Sequence, residues 1–461
     1  MTSGTVQLRR RPASGGSSVR RPRPLGRRLY IETYGCQMNI NDTELMEGML
    51  AERGFLRVED AADADVILIN TCAIREHAEQ RVRGRIGQLQ RYRRDNPHLV
   101  LGVTGCMAQR LGPRLVASRD VDLVAGPDAY RGLGDLIDDL QANAIERGQT
   151  LLELDTAENY EGVKPVRAAG VSAWITVQRG CDHRCTFCIV PYVRGPEKNR
   201  EPQAILAETR RAVERGFTEV VLLGQTVNSY RSGEWDFPRL LEAVARVDGI
   251  RRVRFTSPHP NDVSEALLDV MAREPAVCRQ LHLPVQSGAD RVLKRMVRRY
   301  TAAEFLGKVD LARGIVPDLA LSTDAIVAFP GETEEEFEAT LELMRRVRFD
   351  DAYLYRYSPR EGTPATRLPE EDFLPDPEAS ARLERLIVLQ RDIQREINET
   401  EVGRTCEVLV ERSARSEGDV LGRTERNKMV AFAGDADLIG SYVDVRLTGT
   451  TGVTFMGVRC G

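Results

Sequence analysis

Two stretches of the chain alternate short β-rich runs with helical patterns, and this alternation limits the fold more than any other feature. In the first, apolar runs at 29–34, 66–70, 99–103 and 121–125 are separated by helical periodicity, for example over 42–53 and on to about 94. Strands separated by helices pair in parallel and bury both faces of their sheet. The second series begins near residue 171, with candidate strands at 174–178, 220–223, 253–256, 280–285, 319–327 and 352–355. Helical patterns such as 203–215 and 334–347 lie between them. Six such units predict a partial, open β/α barrel with its chemistry on the loops after the strands. A charged helical pattern from about 371 to 401 is expected to close the barrel, and β-rich runs at 407–410, 430–432 and 443–447 predict a small β-barrel. The fold class is therefore α/β. An open parallel α/β sheet is expected over 28–145, a partial (β/α)6 barrel over 167–397 and a small β-barrel over 400–461.

Nine cysteines are set unevenly on this frame. Cys36, Cys72 and Cys106 each fall just beyond the carboxyl end of a predicted strand in the first series, the edge where open α/β sheets bind ligands. Residues far apart in sequence can converge there; the competing reading is three separate buried thiols. Cys181, Cys185 and Cys188 follow the first strand of the second series with C-X3-C-X2-C spacing. Thiolates ligate iron–sulfur clusters, and three of them leave one iron of a four-iron cluster open to an exogenous ligand. Zinc is the alternative, with His183 inside the triplet, but the paired C-X2-C knuckles of zinc ribbons are missing. Cys278, Cys406 and Cys460 lack ligand spacing and are expected to be structural.

Apolar residues are 42% and charged residues 29% of the 461-residue chain, the profile of a globular protein of two or three domains. No apolar run reaches membrane-spanning length. The N-terminus has no apolar h-region, so a reducing cytoplasm is expected, where spaced cysteines mean metal or redox chemistry. Residues 1–28 hold eight arginines and no acid. A mitochondrial targeting helix would be spoiled by Pro12, Pro22 and Pro24, so 1–27 is read as a disordered basic tail. A net charge of −4 means that nucleic-acid contact must come from local patches. Arg81, Arg83, Arg85, Arg91, Arg93 and Arg94 form one basic run, read as a solvated face ahead of a phosphate contact, and 291–299 form another.

The segment Cys181-Asp182-His183-Arg184-Cys185-Thr186-Phe187-Cys188-Ile189-Val190-Pro191-Tyr192 resembles the cluster loop of the radical S-adenosylmethionine superfamily, and more narrowly that of the methylthiotransferase family. Tyr34-Gly35-Cys36-Gln37-Met38-Asn39, Asn70-Thr71-Cys72 and Thr104-Gly105-Cys106-Met107-Ala108 are similar to the three cysteine motifs of that family's N-terminal domain. Gly422-Arg423-Thr424-Glu425-Arg426-Asn427-Lys428 looks like the core of a TRAM domain, an RNA-binding β-barrel.

The resemblance covers about residues 28–461 and implies two [4Fe-4S] clusters. One, on Cys181, Cys185 and Cys188, would bind S-adenosylmethionine and split it to a 5′-deoxyadenosyl radical. The auxiliary cluster, on Cys36, Cys72 and Cys106, would deliver sulfur, with methyl from a second S-adenosylmethionine, two per turnover. Gly224, Gln286 and Asp324, at strand ends, are candidate S-adenosylmethionine contacts, and no catalytic residue is expected beyond the cluster ligands. Gln37-Met38 looks like the branch that methylthiolates C2 of N6-isopentenyladenosine at position 37 of tRNA. Other branches act on threonylcarbamoyl-adenosine or on a ribosomal aspartate. A non-enzymatic iron–sulfur RNA-binding or redox-sensing protein is the alternative from another class. The partners implied are the tRNA anticodon loop, an external electron donor and a sulfur source, and a monomer is expected. Asn199 stands where relatives carry Ser, and Arg423, Arg426 and Lys428 are the expected RNA-contacting cluster of the last module.

Overall fold

The computed structural model describes residues 26–72, 76–167 and 170–460, without the side chains of 76–80. All but the last two residues of the predicted basic tail lie outside this range. The chain forms two compact units. The first contains the residues up to 167 together with Arg179–Asp182 and Ile189–Lys198, and the second contains the remainder. Among the described residues no helix is long and apolar enough to cross a membrane.

The first unit is a six-stranded parallel sheet: β1 (Arg28–Tyr34), β2 (Leu56–Arg57), β3 (Val66–Thr71), β4 (Val100–Gly105), β5 (Leu123–Ala125) and β6 (Gln149–Leu151), in the order β2-β1-β3-β4-β5-β6. Helices α1 (Gln37–Glu52), α2 (Glu76–Leu89), α3 (Cys106–Ala117) and α4 (Leu133–Gln141) make the crossovers. β3 and β4 are buried along their whole length, as strands covered on both faces must be. Ile67, Ile69, Leu101 and Val103 feed one core, and Val66, Leu68, Val100 and Leu123 feed the other. The edge strands β2 and β6 were not anticipated, because two or three residues carry no readable alternation. Segment α5 (Val190–Arg194) packs on α3 within this unit.

In the second unit, β7 (Ser172–Thr176), β8 (Glu219–Leu223) and β9 (Arg252–Phe255) form one parallel sheet. β10 (Gln280–His282), β11 (Ala320–Val327) and β12 (Asp351–Arg356) form another. A Val253–Val277 bridge joins them into one arc of six strands, ending at β7 and β12. Along β11, Leu321, Ala325 and Val327 join the apolar core, while Ser322, Asp324 and Ile326 occupy the opposite face. The closing helix runs over Asp376–Glu401, starting five residues later than the sequence pattern implies. Pro375 cannot donate an intrahelical hydrogen bond and sets the boundary, while Pro377 is tolerated in the first turn. Gln390 and Gln394 of this helix donate to the carbonyls of Phe349 (2.9 Å) and Asp350 (3.0 Å), just ahead of β12.

The C-terminal strands close into a five-stranded barrel around Val408, Val430, Val445 and Phe455. Buried Arg254 of β9 pins it, donating to Thr424 O (2.6 Å) and Glu425 O (2.9 Å) while pairing with Glu219 (3.0 Å). Arg252 donates to Arg423 O (2.7 Å), and Arg251 lies 3.8 Å over the Tyr442 ring.

Candidate functional site

The carboxyl edge of the first sheet carries three cysteines. Cys36 lies two residues past β1, whereas Cys72 and Cys106 follow β3 and β4 directly. The predicted spacing of two or three residues shortens to one because those strands run to Thr71 and Gly105. An asparagine pair locks the loops together. Asn39 donates to Asn70 Oδ1 and Thr71 O (both 3.2 Å), and Asn70 donates to Asn39 O (2.8 Å) and Thr43 Oγ1 (2.9 Å). Asn39 Oδ1 accepts from the Cys36 backbone N–H (3.3 Å) and from its thiol (3.4 Å). A Cβ on Gly35 would lie 2.3 Å from Asn39 Oδ1, and one on Gly105 (φ +92°) would lie 2.5 Å from Thr71 O. Both glycines are therefore required by close approach.

The three thiols are brought together. The Cys72 thiol donates to the Cys36 sulfur, and this bond, with the charge of Arg194 and the backbone N–H groups of Asn39 and Met38, holds Cys36 down at about 6 against burial. Burial raises the Cys106 thiol, which lies within electrostatic reach of Cys36, and nearby Arg194 opposes the rise. Arg194 Nε donates to Cys106 Sγ at 3.1 Å, and Ile189 and Val193 pack on that cysteine. The other end of the Arg194 guanidinium pairs with fully buried Asp42 of α1 (2.7 Å). Asp42 also pairs with Arg179, whose Nη1 lies 2.8 Å away. Asp128 and Lys198 form a further buried pair at 2.6 Å.

Cys181 belongs to the first unit, with its N–H on Gly195 O at 3.2 Å. Cys185 and Cys188 belong to the second and share one turn, the Cys188 N–H donating to Cys185 O at 3.0 Å. Their loop is anchored by Thr186, which donates through N–H to Met296 O (3.1 Å) and through Oγ1 to Arg295 O (2.8 Å). Cys185 Sγ accepts from Arg298 Nη1 at 3.3 Å. His183 faces elsewhere: it stacks on His259 (centroids 3.9 Å, 10°) and sets Nε2 3.3 Å from Asp262. These three residues bring metal-type donor atoms within 4.8 Å of one another. Parallel imidazoles, however, keep their lone pairs in separate planes and cannot aim both at one ion, so this group is not a competing zinc site.

Gly224 follows β8 and packs tightly, since a Cβ there would lie 2.9 Å from Val227 Cα and 3.1 Å from Gln178 Oε1. Gln286 (φ +70°) donates its backbone N–H to Asp324 O at 2.8 Å, so these two candidates sit together. The Asp324 carboxylate lies 3.5 Å from His282 Nε2. Cys278 is buried and its thiol raised to about 11 by burial; Cys406 is shifted likewise.

Two sequence expectations change. Arg426 pairs with Glu401 (3.0 Å), and Lys428, 7% exposed, pairs with Asp350 (2.8 Å) and donates to Asn398 (2.9 Å). These cations tie the small barrel to the closing helix and are not an RNA-facing cluster; Arg423 is held by Glu411 (3.0 Å) and Asn427 (2.7 Å). The basic runs also serve the fold in part. Arg85 bonds Glu32 (2.9 Å), Arg93 pairs with Asp122 (2.8 Å) and Arg295 with Asp372 (2.5 Å). Sequence reasoning missed Asp42, Arg179, Arg194 and Arg298 as site residues. The one hint was that Arg194 ends the apolar run 189–193.

Cys36, Cys72 and Cys106, converging thiols with N–H donors on their sulfurs, are the donor set that an iron–sulfur cluster requires, so these residues fit one. Comparison with known proteins agrees. A profile described as Uncharacterized protein family UPF0004 matches residues 28–126, the Radical SAM superfamily matches 175–344 and the TRAM domain matches 399–452. Among solved structures, the radical S-adenosylmethionine methyltransferase TsrM from Kitasatospora setae, with cobalamin and a [4Fe-4S] cluster bound, is similar in fold. Its TM-score is 0.57 at 14% identity, over 86% of this chain and 77% of that one. Fold and profile together define a radical S-adenosylmethionine protein. The tRNA-2-methylthio-N(6)-dimethylallyladenosine synthase of Porphyromonas gingivalis (strain ATCC BAA-308 / W83) is 43% identical, over 94% of each chain. That of Pelobacter propionicus is 44% identical over 91% of this chain and 96% of its own. The chain belongs to the tRNA-2-methylthio-N(6)-dimethylallyladenosine synthase family.

Proposed function

We propose that the chain methylthiolates C2 of N6-isopentenyladenosine at position 37 of tRNA, next to the anticodon. The observation that carries this reading is identity above 40% over nearly the whole of chains so named, joined to three thiols gathered at one sheet edge. Cys181, Cys185 and Cys188 hold the [4Fe-4S] cluster that binds S-adenosylmethionine, and Cys36, Cys72 and Cys106 hold the auxiliary one. When bound, the clusters supply the electron that cleaves S-adenosylmethionine and the sulfur that is inserted, with two S-adenosylmethionines used per turnover.

The chain's own residues hold and orient these groups. Asn39 and Asn70 fix the Cys36 and Cys72 loops, Thr186 fixes the triplet loop, and Gly224 just past β8, Gln286 beyond β10 and Asp324 within β11 are the proposed S-adenosylmethionine contacts. The domain limits that fit this division are 28–145, 167–397 and 400–461. A base in a single-stranded loop can be splayed out at a cost on the order of a few kcal/mol. Burial of its prenyl group returns roughly 25 cal/mol per Å². Thiolate sites of this kind suit a reducing cytoplasm; the chain acts in this reading as a monomer, with an external electron donor and sulfur source.

Mass spectrometry of tRNA nucleosides from a strain lacking the gene tests the reading. The expected result is loss of 2-methylthio-N6-isopentenyladenosine with accumulation of its unmethylthiolated precursor. An unchanged nucleoside profile, or loss of the methylthiolated threonylcarbamoyl nucleoside instead, would overturn it.

A further inference from the structure

Buried arginines normally face carboxylates, because an unpaired buried charge is costly. Arg298 is 6% exposed, and among the described residues its hydrogen-bond partners are Tyr300 Oη (3.0 Å), Pro284 O (3.0 Å) and Cys185 Sγ (3.3 Å), none of them a carboxylate. The buried nest around Arg194 shows the same imbalance. Its carboxylates are Asp42 and Asp128, whereas its cations are Arg179, Arg194 and Lys198, one more than the carboxylates, so that the balancing negative charge near Arg194 falls to the cysteine sulfurs. Arg194 is the member that touches a sulfur, with Nε 3.1 Å from Cys106 Sγ, and among the described residues its buried Nη1 has no hydrogen-bond partner. Among the described residues, each cysteine trio thus has a permanently charged guanidinium donating to one of its sulfurs, in a place where carboxylates are too few to balance it.

We propose that Arg194 and Arg298 set the reduction potentials of the two clusters, Arg194 for the auxiliary cluster and Arg298 for the one that binds S-adenosylmethionine. The assignment rests on the reading that the six cysteines hold clusters. A cluster on three thiolates is anionic, and reduction adds a further negative charge. A charge-assisted N–H···S bond stabilises the reduced state more than the oxidised one and raises the potential. Arginine suits this role because it stays protonated when buried and can donate to the sulfur and to its anchor at once. Asp42 anchors Arg194; Tyr300 and the Pro284 carbonyl anchor Arg298. Both arginines are positioning residues, acting through the cluster ligands.

Redox titration followed by electron paramagnetic resonance tests this on the full chain, reconstituted with iron and sulfide. Each cluster is observed alone by replacing the other cysteine trio with alanine. Arg194→Met leaves Asp42 paired with Arg179, so no buried carboxylate of the nest loses its partner and its carboxylates and cations become equal in number. It is expected to lower the potential of the auxiliary cluster alone, cutting the reduced-to-oxidised ratio at fixed potential at least tenfold, equivalent to about 59 mV for one electron. Arg298→Met is expected to do the same to the other cluster alone. Arg194→Lys and Arg298→Lys, which keep the charge and lose the planar fork, are expected to give smaller shifts in the same direction and provide the reading if a methionine variant fails to load. Unchanged potentials, or equal shifts in both clusters from one substitution, would overturn the proposal. If the unsubstituted chain failed to load two clusters, the cysteine assignment itself would be wrong.

Discussion

Gly105 has φ +92°, and any side chain there would meet Thr71 O and Asn70 Oδ1 at 2.5 Å. Gly105→Ala therefore strains the backbone by about 1–3 kcal/mol and displaces the Cys72 loop. Iron analysis after reconstitution is expected to show about half the iron of the unsubstituted chain, with 5′-deoxyadenosine formation retained. A second residue reports on pH. Burial lifts the Glu47 carboxyl from about 4.5 to about 7, and its Arg57 partner only partly opposes this. Between those values the folded chain keeps a proton that the unfolded chain has released, so this contribution to stability is complete below about 4.5 and lost as pH rises through 7. The urea midpoint of the apoprotein is expected to fall between pH 5 and 8, and Glu47→Gln should flatten that fall. At this scale Cys181, Cys185 and Cys188 stood out because C-X3-C-X2-C spacing is rare and chemically specific, whereas Cys36, Cys72 and Cys106 stood out by their place beyond strand ends. Asp42 and Arg194 were not, because a charged residue looks the same in sequence whether it is solvated or buried against a partner 152 positions away.

Elements were legible where they are long. β3, β4 and β11 read as strands from apolar content and alternation, whereas β2 and β6 are too short to show a period. The RNA-facing role read into Arg426 and Lys428 failed for a related reason, since composition counts charges without locating Asp350, Asn398 and Glu401 beside them. Replacing Arg426 and Lys428 by alanine is accordingly expected to lower the thermal midpoint of the C-terminal barrel, with the salt dependence of tRNA binding unchanged. A slope reduced by about one unit for each cation removed would restore the phosphate-contact reading. Arg254 is the keystone between β9 and the small barrel, and Arg254→Ala leaves Glu219 buried without its partner. Denaturant unfolding is expected to show a loss of about 3–5 kcal/mol, with iron content per folded chain unaffected.

For the whole molecule, strand–helix alternation was enough to anticipate a parallel sheet and an open six-strand arc, and successive β-rich runs a small closed barrel, because each architecture follows from which faces must be buried. It could not anticipate that the chain re-enters its first unit after residue 178, with Arg179 and Arg194 going to Asp42. The account rests on two trios of thiolates with separate tasks. Replacing Cys36, Cys72 and Cys106 together by alanine, and assaying 5′-deoxyadenosine and methylthiolated tRNA in the same reaction, tests it most directly. The account expects 5′-deoxyadenosine to persist while methylthiolation disappears, with iron falling from about eight to about four per chain. Loss of both products together, or methylthiolation that survives the substitution, would contradict it.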